Sequence, residues 1–460
     1  MMRTAPATET ESQKQLSDGS RIGVIGGGPA GSFFAFFLLQ LADRVGMRLH
    51  VDIYEPRNFE GVGPKSCNMC GGIVSESLVE NLATEGIHLP SAVIQRSLDS
   101  YHLHTDVGDV HIATPEKEKR IAAVHRGCGP RDMKDVSISS FDGYLLQKAL
   151  SAGARHVRAR VTTIGKRQDR PYLQTDSLQE EEYDLLALAT GINAPAVKVL
   201  DDAVHGYAAP GNTKTYICEA CLYGRSMVKR YLGSSMHVFL LDIPQLEFAA
   251  VIPKGEYATV CLLGTNIDNA LVRSFLDSSE VTSCFPPGWQ QNKDYCHCSP
   301  RINVRAARTP YADRIVFIGD CGATRLYKDG IGAAYRTAKA AAATAVFHGV
   351  AADDFRRHYQ PACDTISRDN QIGQLVFTVT RTIQKHKFLR RGLCRMVAEE
   401  QKRGGSSQRM SSILWNTFTG SAPYRDIFLK SLHPAFLLSF LQSIITANLL
   451  AWNSHHPRRD

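Results

Sequence analysis

Gly26, Gly28 and Gly31 stand at the spacing a chain needs to lay bare backbone against a pyrophosphate. In Gly26-Gly27-Gly28-Pro29-Ala30-Gly31 the first glycine makes a tight turn, the second lets backbone approach the phosphates, and the third lets helix and strand pack closely. A helix opening at Pro29 and Ala30 would aim unpaired N–H groups and a positive dipole end at the anion. Glu55 follows about 20–25 residues on, where an acid binds ribose hydroxyls. A second constellation lies far along the chain. Gly319-Asp320 closes an apolar run, and Gly330-Ile331-Gly332 opens a small-residue stretch. An Asp at a strand end can bind a polyol, and bare glycines admit a phosphate or a ring.

Cys67 and Cys70 have the CxxC spacing of a dithiol. Beside a redox cofactor such a pair can exchange electrons or handle a proton, and otherwise it packs as two small hydrophobes. Cys218/Cys221 and Cys296/Cys298 read as packing cysteines. No zinc-ribbon spacing, no HExxH element and no Ser/His/Asp constellation stands out, so no metal is expected.

These residues need elements to position them. Arg21–Ile25 and His50–Tyr54 read as strands around a helix from Ser32 to Ala42, the βαβ context a dinucleotide turn requires. Val157–Ile164 and Leu185–Ala189 read as further strands, and Arg314–Ile318 leads into Gly319 and a helix from Ala333 to Val346. Between about 205 and 305 the pattern shifts to Met236–Leu241, Phe248–Ile252 and Tyr257–Leu263, an inserted sheet.

With 460 residues, 43% of them hydrophobic and 21% charged, the chain can fold two or three domains. Residues 1–20 lack an apolar signal core and read as a flexible tail. Twelve cysteines without a secretion signal suit reduced thiols in a cytoplasm. The net charge of +8 gathers between Arg381 and Arg409 and carries no nucleic-acid-binding motif, so nucleic acid is not expected as a partner. Ala435–Trp452 is apolar and of spanning length, but Gln442 and Asn448 make it a poor span. It reads as a buried, an interfacial or a spanning helix, the second giving peripheral membrane contact.

Taken in order, the glycine turn, Tyr183–Gly191 and Gly319-Asp320 resemble the FAD signatures of flavoproteins related to aromatic hydroxylases. The resemblance implies FAD held by Gly26, Gly28, Pro29, Ala30, Gly31 and Glu55, with Thr190 and Gly191 returning the chain to it. It also implies Val161 backbone at the adenine, Asp320 on the ribityl chain, and Gly319, Gly330, Ile331 and Gly332 around it. No second GxGxxG marks an NAD(P)H domain.

Gly63–Gly72, which contains Lys65-Ser66-Cys67 and Cys70-Gly71-Gly72, narrows the likeness. It resembles the Lys-Pro-Cys-Gly-Gly element of the geranylgeranyl reductase family, flavoenzymes that saturate isoprenoid chains. That family places the loop beside the isoalloxazine, which makes Cys67 and Cys70 the catalytic candidates. Phe248–Gly255 is similar to its Tyr-x-Trp-x-Phe-Pro element, giving Phe248, Ala250, Ile252 and Pro253 as substrate contacts. The sequence departs from the family where Ala250 replaces tryptophan and where the arginine before Phe141-Asp142 is missing, Ile138 or Ser139 standing near its place. The loop after Asp320 also lacks the usual proline.

The implied architecture is α/β: a Rossmann-like FAD-binding domain (21–200 and 306–350), an inserted antiparallel-sheet substrate domain (201–305) and a helical C-terminal region (351–460). The implied reaction is hydride transfer from reduced flavin to a carbon–carbon double bond of an isoprenoid or other hydrophobic, lipid-like substrate. The reductant would be NAD(P)H or a ferredoxin-type electron-donor protein. An FAD monooxygenase acting on an aromatic or quinone, a quinone-linked flavoprotein dehydrogenase and a non-catalytic membrane-associated flavin protein are the competing readings.

Overall fold

The computed structural model describes residues 14–455, apart from 64, 68, 69, 116–118, 132, 134–136, 195–197, 200–203, 223, 290–295 and 405–407, and the side chains of 451–455. Its central sheet runs Tyr311–Ala312, Ile315–Phe317, Leu185–Leu188, Arg21–Ile25, His50–Tyr54, Arg155–Val157. All but the first strand are parallel to their neighbours. Strands buried on both faces need continuous apolar runs, and Ile22, Val24, Leu185 and Leu186 supply them with no exposed surface. The expected Val157–Ile164 strand divides. Arg155–Val157 ends the central sheet, whereas Val161–Arg167 joins a separate sheet of four. Arg158-Ala159-Arg160, with its two charged side chains, makes that break.

The helix Pro29–Arg44 is longer than expected and buried nearly all round by its phenylalanines. It lies on Gly330–Phe347, whose buried face is Ala333, Ala334, Ala338, Ala341 and Ala345. Large side chains from one helix fill the room left by small ones on the other. Tyr335 meets Phe33 and Phe37 edge-on at 5.8 and 5.5 Å. Residues 14–20, expected within a flexible tail, are instead anchored. Leu16 is buried, Lys14 pairs with Asp313 at 2.6 Å, and its carbonyl accepts from the Val350 N–H. A single leucine was too faint an apolar signal to show this.

The inserted region forms five of the seven strands of a large sheet: Cys296–Cys298, Tyr216–Cys221, Tyr257–Gly264, Leu246–Lys254, Ser235–Phe239. The other two, Ser100–Thr105 and Gly108–Ala113, come from within 21–200, and Ser235–Phe239 pairs parallel with Ser100–Thr105. Side chains alternate between the faces. Ile217, Val238, Phe248, Ala250, Ile252 and Cys261 share one core, while Cys218, Phe239, Ala249, Val251 and Val260 share the other.

Five helices cover the first face: Gln360–Lys385, Lys387–Arg403, Arg409–Thr419, Tyr424–Ser431 and Pro434–His455. Most of the basic run stays at the surface, but Arg390 turns inward. Arg390 is 1% exposed and grips Asp106 through two bonds of 2.6 and 3.0 Å, and Arg381 pairs with Glu247 at 2.5 Å. The last helix rests on Gly392, where Ile444 leaves no room for a side chain. Its other side exposes Leu437, Leu438, Leu441, Ile445, Leu449 and Leu450. Among the described residues no single helix is long and apolar enough to cross a membrane; Tyr424–Ser431 and the last helix make one bent pair, at 67°.

Arg325 ties these helices to the loop after Asp320. Its buried guanidinium donates to the Gly420 and Ala422 carbonyls, lies 3.5 Å from Asp369, and sits 4.4 Å over the Tyr424 ring. Breaking a buried pair by removing one partner costs about 3–5 kcal/mol. Arg325→Ala should therefore lower the unfolding free energy from urea titration by that order and speed hydrogen exchange in 409–450 more than in the central sheet.

Candidate functional site

The glycine turn closes on the ends of two other strands. Gly26 is in the left-handed region at φ 106°, and a Cβ there would lie 2.5 Å from the Ala189 carbonyl oxygen. A Cβ on Gly31 would lie 1.9 Å from the Gly26 carbonyl oxygen, and one on Gly319 would lie 2.7 Å from Ala30 Cβ. Gly28 caps the helix with Pro29 in its first turn, leaving the terminal N–H groups open to an anion. Glu55, 3% exposed, accepts from the Gly27 N–H at 3.1 Å and from Arg57 at 3.0 and 3.1 Å. Thr190 Oγ1 lies 3.1 Å from Cys321 Sγ, joining the Thr190-Gly191 turn to the Gly319-Asp320 turn. Val161 packs with Ile25 and Tyr54 beside them. The residues from the three distant stretches thus meet at one place, and a cradle that a methyl group would fill fits the pyrophosphate and ribityl chain of FAD.

Asp320 faces this junction. Burial raises its carboxyl pKa, while the Thr324 hydroxyl and Arg126 pull it back. The Gly319 N–H donates to Thr337 Oγ1 at 3.1 Å, fixing the turn to the Gly330–Phe347 helix. At that helix start Ile331 is buried, and the Asp329 carboxylate fills the space a Gly332 side chain would need. Gly330 is exposed, and a Cβ there would meet Thr324 Oγ1 at 3.6 Å.

The sequence lacks an arginine just before Phe141-Asp142, but the fold supplies one from elsewhere. Arg126 reaches the fully buried Asp142 carboxylate with two guanidinium nitrogens, one at 2.9 Å. The capping helix explains its approach: Ser140 Oγ donates to the Arg126 carbonyl at 2.7 Å and the Phe141 N–H to the His125 carbonyl at 3.0 Å. Burial works against the guanidinium charge, but Asp142 and Cys70 outweigh it. Cys70 is near enough to Arg126 to support its charge, and its sulfur accepts from the Gly72 N–H at 3.4 Å. Cys67 and Cys70 are half-buried and outside any disulfide.

The loop carrying Cys70 presses on the large sheet. A Cβ on Gly71 would meet Cys261 Sγ at 3.1 Å and Ile252 Cδ1 at 3.5 Å. Phe248, Ala250 and Ile252 share this face, whereas alternation puts Pro253 on the other with Ala249 and Val251. Pro253 therefore stands apart from the other three expected substrate contacts. Lys254 continues the site-facing row. Its ammonium is fully buried, 3.9 Å from Glu219, without a hydrogen-bond partner among the described residues. Glu219, whose carboxyl pKa burial raises, accepts from Thr259 at 2.8 and 2.9 Å. His125 lies near Lys254, and burial together with that charge pushes its pKa well below the usual value. Burial raises Cys261 and Cys298 to about 12, keeping both as thiols.

Lys328 approaches from the opposite side, its Nζ 2.8 Å from the Phe248 ring centre. Tyr327 and Asp329 flank it at φ 58° and 54°, a conformation costly for side chains other than glycine and common at functional sites. Burial depresses the Lys328 pKa well below its ordinary value. Sequence reasoning missed Arg126, His125, Lys254 and Lys328. The one available signal was alternation, since Lys254 is two residues beyond Ile252.

No family model matches the sequence, and no curated protein matches it. The fold is shared with solved structures. A geranylgeranyl bacteriochlorophyll reductase-like protein from Thermoplasma acidophilum superposes with TM-score 0.60 at 12% identity, covering 93% of this chain and all of that one. The halogenase PltM in complex with FAD gives 0.55 at 13% identity over 96% of this chain and 93% of its own. The p-nitrophenol 4-monooxygenase PnpA from Pseudomonas putida DLL-E4 gives 0.54 at 13% over 89% of this chain and all of its own. At such identities the likeness establishes the architecture: a Rossmann-like FAD-binding fold with a sheet inserted over it and helices following.

Gly31→Ala forces a methyl into backbone, so the purified variant should hold at least tenfold less flavin by absorbance, a loss of about 1.4 kcal/mol or more. For His125 the unfolded chain takes up a proton near pH 6.5 and the folded chain well below. The folded state binds fewer protons, so stability falls as pH drops below about 6.5, by about 1.4 kcal/mol per unit. Urea midpoints between pH 7 and 5 should show this slope, and His125→Gln should flatten it.

Proposed function

We propose that the chain is an FAD-dependent oxidoreductase that reduces carbon–carbon double bonds of an isoprenoid or other lipid-like substrate. The observation that carries this reading is the contact of the Cys70-Gly71-Gly72 loop with the apolar face of Ile252 and Cys261. A substrate lying there is enclosed by Phe248, Ala250 and Ile252, side chains that exclude water and offer it no base or nucleophile. FAD, when bound, supplies the hydride. An isolated alkene develops no oxyanion, so what it requires from the protein is a dry surface and a proton.

Lys328 Nζ is the proton source in this reading. Desolvation weakens its hold on the proton, and the Phe248 ring keeps it at the substrate face. The Cys70 thiol, close to Arg126 and held by the Gly72 N–H, is the second candidate donor. NAD(P)H or a ferredoxin-type protein would regenerate the reduced cofactor.

The exposed leucines of the last helix support a working site at a membrane surface. Leu437, Leu438, Leu441 and Ile445 are exposed, as is Leu429 on the preceding helix, Tyr424–Ser431. Such a face buries apolar area in the headgroup region without spanning it. Leu438→Asp combined with Leu441→Asp should abolish flotation of the protein with anionic vesicles while leaving its flavin content unchanged.

A monooxygenase acting on a phenol or quinone is the second reading, favoured by Lys254. A buried ammonium without a hydrogen bond is suited to an anionic oxygen. Anaerobic reoxidation separates the two. Photoreduced protein mixed with polyprenyl lipid should regain oxidised flavin while the lipid gains two mass units per turnover. Inert lipid, with oxygen reactivity quickened by an aromatic, would replace the reductase with the monooxygenase.

A further inference from the structure

On the far face of the large sheet, away from Lys254 and Cys261, three imidazoles gather across the parallel seam. His102 and His104 lie on Ser100–Thr105, and His237 is paired with His102 across the register. Ring centres are 4.5 Å apart for His102 and His104 and 5.1 Å for His104 and His237. A nitrogen from each of the three lies within 4.8 Å of the other two. Cys284, just beyond the short helix Ser279–Thr282, brings a thiol to the same point.

We propose that His104 Nε2, His237 Nδ1 and Cys284 Sγ, with His102 as fourth ligand, bind a divalent metal ion of the zinc class. The three atoms form a triangle: 2.8 Å between the nitrogens, 3.4 Å from sulfur to His237 and 3.7 Å from sulfur to His104. Metal bonds of about 2.0 Å to nitrogen and about 2.3 Å to sulfur at tetrahedral angles require about 3.3 and 3.5 Å. The rings of His104 and His237 meet head to head, so their nitrogens need to part by roughly half an ångström and each ring to tilt until its lone pair meets the ion, while the sulfur already stands at the right reach.

The surroundings supply what such ligands need. His237 donates from Nε2 to the Leu232 carbonyl at 3.2 Å, which leaves Nδ1 with its lone pair toward the thiol. His102 Nε2 meets the Asp109 carboxylate at 2.5 Å. Outer hydrogen bonds of these two kinds fix the tautomers of metal-ligating histidines. One thiolate and the Asp109 carboxylate together balance a dication in a site where His104, His237 and Cys284 are all buried. Its ligands come from residues 102–104, 237 and 284, so the ion would pin together three separated stretches of chain. The role is structural, and it is independent of the flavin reading.

Cobalt(II) titrated into chelator-stripped, flavin-loaded full-length protein tests the site. Visible tetrahedral cobalt bands and a thiolate-to-cobalt charge-transfer band should saturate at one equivalent, and Cys284→Ser should remove the charge-transfer band. No cobalt spectrum, or a charge-transfer band that survives Cys284→Ser, overturns the proposal. Should that variant not fold, X-ray absorption of the zinc-loaded wild type decides: one sulfur at about 2.3 Å with nitrogens at about 2.0 Å is expected. A shell of sulfur alone or oxygen alone overturns it.

Discussion

Everything at the cofactor end depends on backbone touching backbone where three strands end. Side chains at Gly26, Gly31 and Gly319 would collide with the Ala189 carbonyl, the Gly26 carbonyl and Ala30. Removing three Cβ atoms draws the first helix, the Thr190-Gly191 turn and the Gly319-Asp320 turn together. That closeness sets the distance between the phosphate end and the polyol end. It also brings the Phe-rich first helix onto the Ala-rich one, because the helix axes can approach only where one partner is small. The cradle and the core are one packing solution.

What the sequence made legible follows from range. Glycine spacing, a strand's apolar run and a helix start are local, and the structure contains each within a few residues of its expected bounds. The Arg126–Asp142 pair was illegible because the two residues lie on different elements, and only the Ser140 cap brings them together. Lys328 was hidden in a loop whose backbone conformation no composition announces. The inward turn of Arg390 has the same cause. A basic run looks solvated until the acid it meets, Asp106, arrives from a hairpin 284 residues away.

The candidate site combines an apolar floor with buried charge at its margins. Ile252, Ala250 and Phe248 have no use for an ammonium, yet Lys254 extends their row and Lys328 crosses it. Keeping lysine there costs desolvation, and Glu219 at 3.9 Å offsets only part of it. Charge retained at such cost fits a task at the site better than it fits packing. The staple at Arg325 gives the C-terminal helices a share in this arrangement, since Tyr424 and Asp369 hold the loop that precedes Lys328.

The parallel seam between Ser100–Thr105 and Ser235–Phe239 has a consequence for how the protein is made. Ser100 pairs with Ser235, so 235 − 100 = 135 residues must be synthesised before the seam can close. At about 5–20 residues per second the ribosome needs roughly 7–27 s for that stretch. Throughout that interval the outer edge of Ser100–Thr105, in its hairpin with Gly108–Ala113, lies open to solvent. Leu103 and Tyr101 on that strand are fully buried only afterwards. An open edge with apolar side chains is a template for joining another chain. Yield in a foreign host should therefore depend on translation speed and chaperone supply more than on the stability of the finished fold.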